Sequence, residues 1–401
     1  MALMTDYGAL YLHIPFCAKR CGYCDFFTEA VAPDDPRLDD YVEDLVRDIR
    51  WAAREGLLAH IKTLYIGGGT PSFLGSRRLV SLVYALALSI PLGPDTEFTV
   101  EANPESLTPS LVRDLYSLGV NRFSLGAQSF IDEELEALGR IHTAQITRQA
   151  IASALERTEN VSLDLMCGIP LQTAQSWRHS LDVALRCGVP HLSVYPLTLK
   201  EADDLKLESE LESPKSPESS KRLEHPECLE SMTPLAREVK EGRWQGPNED
   251  TQAQMMLDAQ EVLSAAGLKR YEVASYARTG FACRHNIAYW TGVPYLGLGQ
   301  GAAGMRNFAD GSRERLYNGE VIEQLNPARA LCETLMLNMR MCTGVSCDAV
   351  RQAEALASGV TDTFEELVTL GLVARTDTHF RPTPRGWLLG NELYQRIWSL
   401  V

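Results

Sequence analysis

The sequence predicts an α/β protein: a partial (β/α)6 barrel of the TIM type with an additional C-terminal winged-helix-like α+β domain. Three observations lead there. Across the first 200 residues, six short β-branched or apolar runs alternate with six stretches of helical period, the pattern of parallel strands joined by crossover helices. Each run leads into a dense polar or glycine-rich segment, and such barrels carry their function at the C-terminal ends of several strands. Over about the last 75 residues the pattern changes to three helices, a hairpin and a helix.

In chain order the predicted strands are 10–14, 63–66, 97–101, 122–125, 161–165 and 192–195, with helical stretches at 38–58, 76–90, 109–118, 131–138, 144–158 and 174–187. The strands run into IPFC, GGGTPS, EANPES, SLGAQSF, DLMCGIP and YPLT. Residues 1–200 are therefore expected to form the barrel core. Residues 201–232 break the pattern, because positions 201–230 hold ten acidic and four basic side chains, two Ser-Pro pairs and few large apolar residues. Such a segment cannot bury enough surface to offset its ordering entropy, so a flexible acidic insertion that does not touch the site is expected. Residues 233–325 should extend the barrel with a helix at 249–266, a strand-like KRYEVASYA and a glycine-rich run at 291–304. The 326–401 region has helices near 327–341, 346–356 and 362–371, then LVAR, a polar turn at Asp377, HFRPT and a final helix from Pro384.

With 401 residues, 45% apolar and 23% charged, the chain has ordinary globular composition. The 38 basic and 53 acidic side chains leave a net charge of −15, which argues against a generic binder of nucleic acid or anionic membrane. The winged-helix-like tail raises a DNA-binding alternative, but Arg329, Arg340, Arg351, Arg375, Arg381, Arg385 and Arg396 are spread along it without a basic recognition stripe. No nucleic-acid partner is expected. Asp6 interrupts the start of the chain before an apolar signal core could form, and the longest uncharged run, 79–94, is shorter than the roughly 20 residues a bilayer needs. A cytoplasmic location without stable membrane insertion follows as the expectation.

Three of the ten cysteines, Cys17, Cys21 and Cys24, fall within eight residues, and the others are scattered. In a reducing compartment clustered thiols hold metal or do chemistry more often than they form disulfides. Thiolates suit zinc and iron-sulfur clusters alike. Zinc would need a fourth ligand such as Asp25 or a distant histidine, and the second C-x-x-C pair of common structural zinc folds is missing. A four-iron cluster on three protein ligands leaves one iron open.

The cysteine motif, within YLHIPFCAKRCGYCDF on the first predicted barrel strand, resembles that of the radical S-adenosylmethionine superfamily. The resemblance continues through LYIGGGTPSFL, TVEANPESL, GVNRFSLGAQSF, LGRIH, SLDLMCGIPLQT and YEVASYA, RHNIAYW and YLGLGQGAAG. It covers nearly the whole chain. It looks like the group that holds oxygen-independent coproporphyrinogen III dehydrogenases and heme chaperones. The resemblance implies a 4Fe-4S cluster on Cys17, Cys21 and Cys24, whose open iron chelates S-adenosylmethionine and passes it an electron, cleaving it to a 5′-deoxyadenosyl radical. It also implies that Gly68, Gly69 and Thr70 contact the methionine end of that cofactor and that Glu101, Gln128, Arg140 and Asp164 hold its amino, ribose and carboxylate groups. Tyr11 and Tyr23 are expected beside the cluster and sulfonium. A carboxylate pairs an ammonium and an arginine pairs a carboxylate, so the residue types suit the ligand's charges. The glycines are expected to let the backbone approach the ligand closely.

The second patch is the HNxxYW segment, His285, Asn286, Tyr289 and Trp290. Histidine is a common axial ligand of heme iron and aromatic rings stack on a flat macrocycle, though the same residues suit a helix with a core Tyr-Trp pair. The heme-chaperone branch of the resembled group implies heme binding here. Members of the dehydrogenase branch carry a further cysteine two residues after the third ligand, where this chain has Phe26, and a substantial segment before the cluster motif, where this chain has sixteen residues. The expected function is thus heme binding and transfer to an acceptor protein, with a flavodoxin-type or quinol-linked electron donor. The alternative is radical decarboxylation of coproporphyrinogen III propionates to vinyl groups, and no catalytic residue is assigned.

Overall fold

The computed structural model describes residues 3–199, 233–246 and 248–400, so the acidic 201–232 segment lies outside the described residues. Six parallel strands form the barrel in sequence order: β1 (Ala9–Ile14), β2 (Thr63–Gly68), β3 (Glu97–Ala102), β4 (Arg122–Gln128), β5 (Val161–Cys167) and β6 (His191–Pro196). The helices that return the chain between them begin with Arg37–Arg54 and end with Ala174–Arg186.

Alternation along each strand decides what each face does. Leu10, Leu12, Ile14, Leu64, Ile66, Phe98, Val100, Phe123, Leu125, Leu163 and Leu165 point one way and are fully or almost fully buried. They meet Leu38, Leu45, Leu82, Leu86, Leu111, Leu115, Ile151 and Leu181 of the surrounding helices in one continuous apolar core. The alternate positions carry Thr63, Glu97, Thr99, Arg122, Ser124, Ser162, His191 and Ser193, all buried polar groups. With period two they share the opposite face, so the lumen is lined by polar side chains where most TIM barrels pack branched apolar ones. Threonine caps start several helices: Thr108, Thr143 and Thr173 each accept a hydrogen bond from the backbone N–H three residues on.

The sheet grows beyond the six strands to twelve. Tyr295–Leu298 lies parallel to β1, pairing Ala9 with Tyr295, and the antiparallel strands Ala303–Asn307, Arg313–Tyr317 and Glu320–Leu325 continue outward. The glycine-rich 291–304 run thus holds one whole strand and the start of the next, with turns before each. At the other edge KRYEVASYA splits into Lys269–Arg270 and Ser275–Ala277, with a break at Tyr271 to Ala274. The C-terminal region forms its own core around Val350, Phe364, Leu367, Phe380, Leu393 and Ile397, with a three-stranded sheet that adds Val345–Ser346 to the expected hairpin. The final helix divides into Pro384–Leu388 and Gly390–Trp398, because Leu389 leaves helical geometry.

A buried ion pair joins the two cores. Arg313, 5% exposed, bonds Glu333 on helix Pro327–Asn338, and it donates to Asn307 Oδ1 at 2.8 Å and Thr334 Oγ1 at 3.0 Å. Removing one partner of such a pair strands the other charge. Arg313→Ala is expected to lower unfolding free energy by about 3–5 kcal/mol, read as a lower denaturant midpoint at unchanged slope. A loss under about 1 kcal/mol would show that Arg315, with its Nε 3.7 Å from the other Glu333 oxygen, takes over.

Candidate functional site

The C-terminal ends of the strands open on a cavity of about 340 Å³. Cys17, Cys21 and Cys24 line it together with Tyr23, Gly68, Gly69, Thr70, Glu101, Gln128, Arg140 and Asp164. Residues spread over 148 positions of sequence, from Cys17 to Asp164, are thereby gathered in one place. Tyr11 is the exception. It sits halfway along β1, its hydroxyl 2.9 Å from His13 Nδ1, and it does not border the cavity.

The cysteine loop is tied to the barrel at several points. Thr70 Oγ1 donates to Cys17 Sγ at 3.3 Å and Arg140 Nη1 to Cys21 Sγ at 3.3 Å. Gly22 N–H bonds Leu138 O, and His13 Nε2 lies 2.9 Å from the Phe27 carbonyl. Burial pushes the Cys17 thiol up to about 11, partly offset by the Thr70 hydrogen bond. Among the described residues no three His, Cys, Asp or Glu side chains converge on a single metal ion. Three thiols on one cavity suit an iron-sulfur cube, in which each thiolate binds a different iron.

Arg140 Nη2 donates to Asn103 Oδ1 at 2.7 Å and to the Gly126 carbonyl at 2.8 Å, so its guanidinium is held rigidly between the cysteine loop and β4. Asn103 in turn donates to Thr70 Oγ1 at 3.0 Å. This asparagine lines the cavity; in the sequence only its place in the EANPES segment points to it. Lys19, Arg20, Ser124 and Tyr195 also line the cavity without a sequence signal of their own.

Backbone geometry aims two of these side chains. Gln128 has φ of +63° and follows a register shift in β4 after Gly126, which turns it into the cavity at a cost of about 1 kcal/mol. The glycine run also shapes the protein's own packing. Gly68 has φ of +109°, and a Cβ there would strike the His13 ring, while a Cβ on Gly69 would meet the Ile14 and Phe16 backbone at 2.8–2.9 Å. Protein atoms therefore fill the room these two glycines leave, and the loop zips onto the end of β1 through Gly69 N–H to Ile14 O and Thr70 N–H to Phe16 O.

Two carboxylates face the cavity from inside the barrel. Desolvation raises Glu101 to about 7 and Asp164 to about 6, and their mutual repulsion adds to the Glu101 shift. Glu101 Oε1 accepts from Tyr65 Oη at 2.5 Å and Oε2 from the Gly68 N–H at 3.2 Å. Carboxylates held in a desolvated pocket with few donors are poised to take up a cation.

The HNxxYW residues lie at the opposite end of the barrel. Helix Arg284–Trp290 closes its floor: the carboxylate of Glu97, the first residue of β3, accepts from the N–H groups of Arg284 and His285 at 3.0 and 2.9 Å. His285 Nδ1 lies 2.9 Å from Thr63 Oγ1, its ring stacks on Tyr65 at 5.0 Å, and Tyr289 meets it edge-on at 4.7 Å. Trp290 Nε1 donates to Glu272 at 3.1 Å, and Arg340 of the C-terminal region covers the indole. His285 is 1% exposed, burial lowers it to about 3, and its Nε2 has no hydrogen-bond partner. Nε2 is thus a free donor atom of the right kind for heme iron. The Tyr65 and Tyr289 rings pack against the imidazole.

The barrel, its cavity and the cysteine loop define a radical S-adenosylmethionine protein. Residues 11–184 match the Radical SAM superfamily model and residues 325–389 the HemN C-terminal domain model. The chain is 34% identical over 360 residues to the heme chaperone HemW of Synechocystis sp., covering 84% of this chain and 79% of that one. It is 34% identical over 305 residues to the heme chaperone HemW of Escherichia coli, covering 76% and 71%. The solved structure of the Escherichia coli radical SAM enzyme coproporphyrinogen III oxidase (HemN) superposes with a TM-score of 0.76 at 18% identity, over 99% of this chain and 91% of that one, which shows the shared fold. The chain belongs to the HemW family of the radical SAM superfamily. Membership implies a 4Fe-4S cluster and S-adenosylmethionine. No helix among the described residues is long and apolar enough to cross a membrane.

Proposed function

We propose that the protein is a heme chaperone: it holds a 4Fe-4S cluster and S-adenosylmethionine at the barrel mouth, binds heme, and passes heme to an acceptor protein. The observation that carries the cofactor part is the convergence of three cysteines, Arg140 and two desolvated carboxylates on one cavity. The bound cluster supplies an open iron and an electron. The chain's own residues do the rest. Cys17, Cys21 and Cys24 ligate; Thr70 and Arg140 hydrogen-bond two of the sulfurs. Glu101 takes the cofactor ammonium, with Asp164, Gln128, Gly68 and Gly69 around it, and Tyr23, within the cysteine loop, lines the cavity. The heme part rests on the relatives, since the two named above are both heme chaperones. His285, Asn286, Tyr289 and Trp290 are its proposed seat, on their residue types and on the unpartnered Nε2 of His285.

Anaerobic incubation of the reconstituted protein with coproporphyrinogen III, reductant and S-adenosylmethionine is expected to give no protoporphyrinogen IX. Turnover would overthrow the chaperone reading in favour of the dehydrogenase. In a heme titration, His285→Ala is expected to lose at least tenfold in affinity and to shift the Soret band. An unchanged spectrum and affinity would remove His285 as the ligand. The acceptor and a flavodoxin-type or quinol-linked electron donor complete the proposed cycle.

A further inference from the structure

A column of rings runs through the lumen from the floor to the cavity. Tyr295 packs against Tyr289 at 4.4 Å, Tyr289 against His285 at 4.7 Å, His285 on Tyr65 at 5.0 Å and Tyr65 beside Tyr11 at 6.3 Å. Tyr65 is the hinge of the column. Its ring is held between His285 on one side and Tyr11 on the other, at interplanar angles of 27° and 31°, and its hydroxyl reaches Glu101. Three side chains on three elements thus fix the carboxylate: the stack sets the Tyr65 ring, the ring sets the hydroxyl, and the hydroxyl sets Oε1, while the Gly68 N–H holds Oε2.

We propose that His285 is a positioning residue for the Glu101 carboxylate, and through it for S-adenosylmethionine, acting by its stack on Tyr65 from the far end of the barrel. This rests on the reading of Glu101 as the partner of the cofactor ammonium. The imidazole acts through one intervening side chain: it stacks on the Tyr65 ring at 5.0 Å, and the Tyr65 hydroxyl makes the 2.5 Å bond to Glu101. The HNxxYW segment therefore serves the cofactor site, a task separate from ligation at Nε2.

The test is equilibrium dialysis of S-adenosylmethionine against anaerobically reconstituted full-length protein, with iron per chain and thermal midpoint measured alongside. Five proteins are compared: wild type, Glu101→Gln, Tyr65→Phe, His285→Leu and His285→Phe. Leucine fills much of the volume without a ring, and phenylalanine restores the ring without a donor nitrogen. Tyr65→Phe and His285→Leu are expected to weaken binding by roughly five- to tenfold at normal iron content, and His285→Phe to recover to within about twofold of wild type. Wild-type affinity in His285→Leu, or equal weakening in His285→Phe and His285→Leu, would overturn the proposal. If Glu101→Gln itself binds as wild type does, the assignment of Glu101 fails first and the proposal with it. If Glu101→Gln is weakened but Tyr65→Phe is not, only the positioning role is lost.

Discussion

A variant with Cys17, Cys21 and Cys24 all changed to Ala is expected to purify folded and colourless, retaining less than about a tenth of the iron and sulfide of the reconstituted wild type. Among the described residues the three thiols are the only cysteines that line the cavity, and the other described cysteines are scattered through both cores and the surface. Folding should survive, because the loop is also tied through the backbone of Gly22, Glu29 and Val31 to Leu138, Pro15 and Cys17, bonds that need no thiol. Metal analysis separates the two thiolate chemistries left open by the sequence. Iron with equimolar sulfide in the wild type supports the cluster; zinc without sulfide, or a brown triple variant, would sink it.

The second large effect is on the pH dependence of cofactor binding. Glu101 lies up at about 7 in the folded protein against an ordinary 4.5, chiefly because the barrel desolvates it. The groups facing it are the Tyr65 hydroxyl, the Gly68 N–H, the Asp164 carboxylate and the Tyr11 phenol. A raised carboxyl favours the folded state below the ordinary value, and that contribution is lost as pH rises through about 7. A bound ammonium reverses the balance, since it prefers the ionised form. S-Adenosylmethionine affinity is therefore expected to fall by roughly an order of magnitude between pH 7 and pH 5.5, as Glu101 takes up a proton. Glu101→Gln should bind weakly throughout and lose most of that slope, keeping a smaller limb from Asp164 near 6. Dialysis over this pH range checks both statements; a flat wild-type profile would remove Glu101 as the ammonium partner.

Much of this architecture is legible in the sequence because local periodicity writes it there. The six barrel strands follow from their alternation, and the same alternation hides a second message: the polar residues between the leucines are the lumen. The cavity is legible because its parts come from strand ends, each followed by a distinctive loop. What escapes local pattern is whatever depends on long-range pairing. Tyr295–Leu298 becomes a neighbour of β1 only by closing a chain segment of nearly 300 residues, and Arg313–Tyr317 and Glu320–Leu325 look like charged surface because they lie at the sheet's outer edge. The HNxxYW segment illustrates the limit most clearly. Its residue types suit a heme ligand with flanking aromatic rings, yet nothing local says that Glu97 and Thr63, far upstream, will lock it into the floor.

The buried Arg313–Glu333 pair, with Arg340 over Trp290 and Glu272 beneath it, bears on how the chain can be divided. The two apolar cores suggest separable modules, and a cut near residue 325 looks natural from the sequence. Cutting there would take Glu333 and Thr334 away from the Arg313 guanidinium, leaving it only Asn307, and strip the Arg340 cover from Trp290 at the barrel floor. The barrel made without its tail would thus inherit a charge defect and an exposed floor together. The C-terminal region is a keystone: both parts are expected to melt in one cooperative transition, and proteolytic trimming of the tail should release an aggregating barrel.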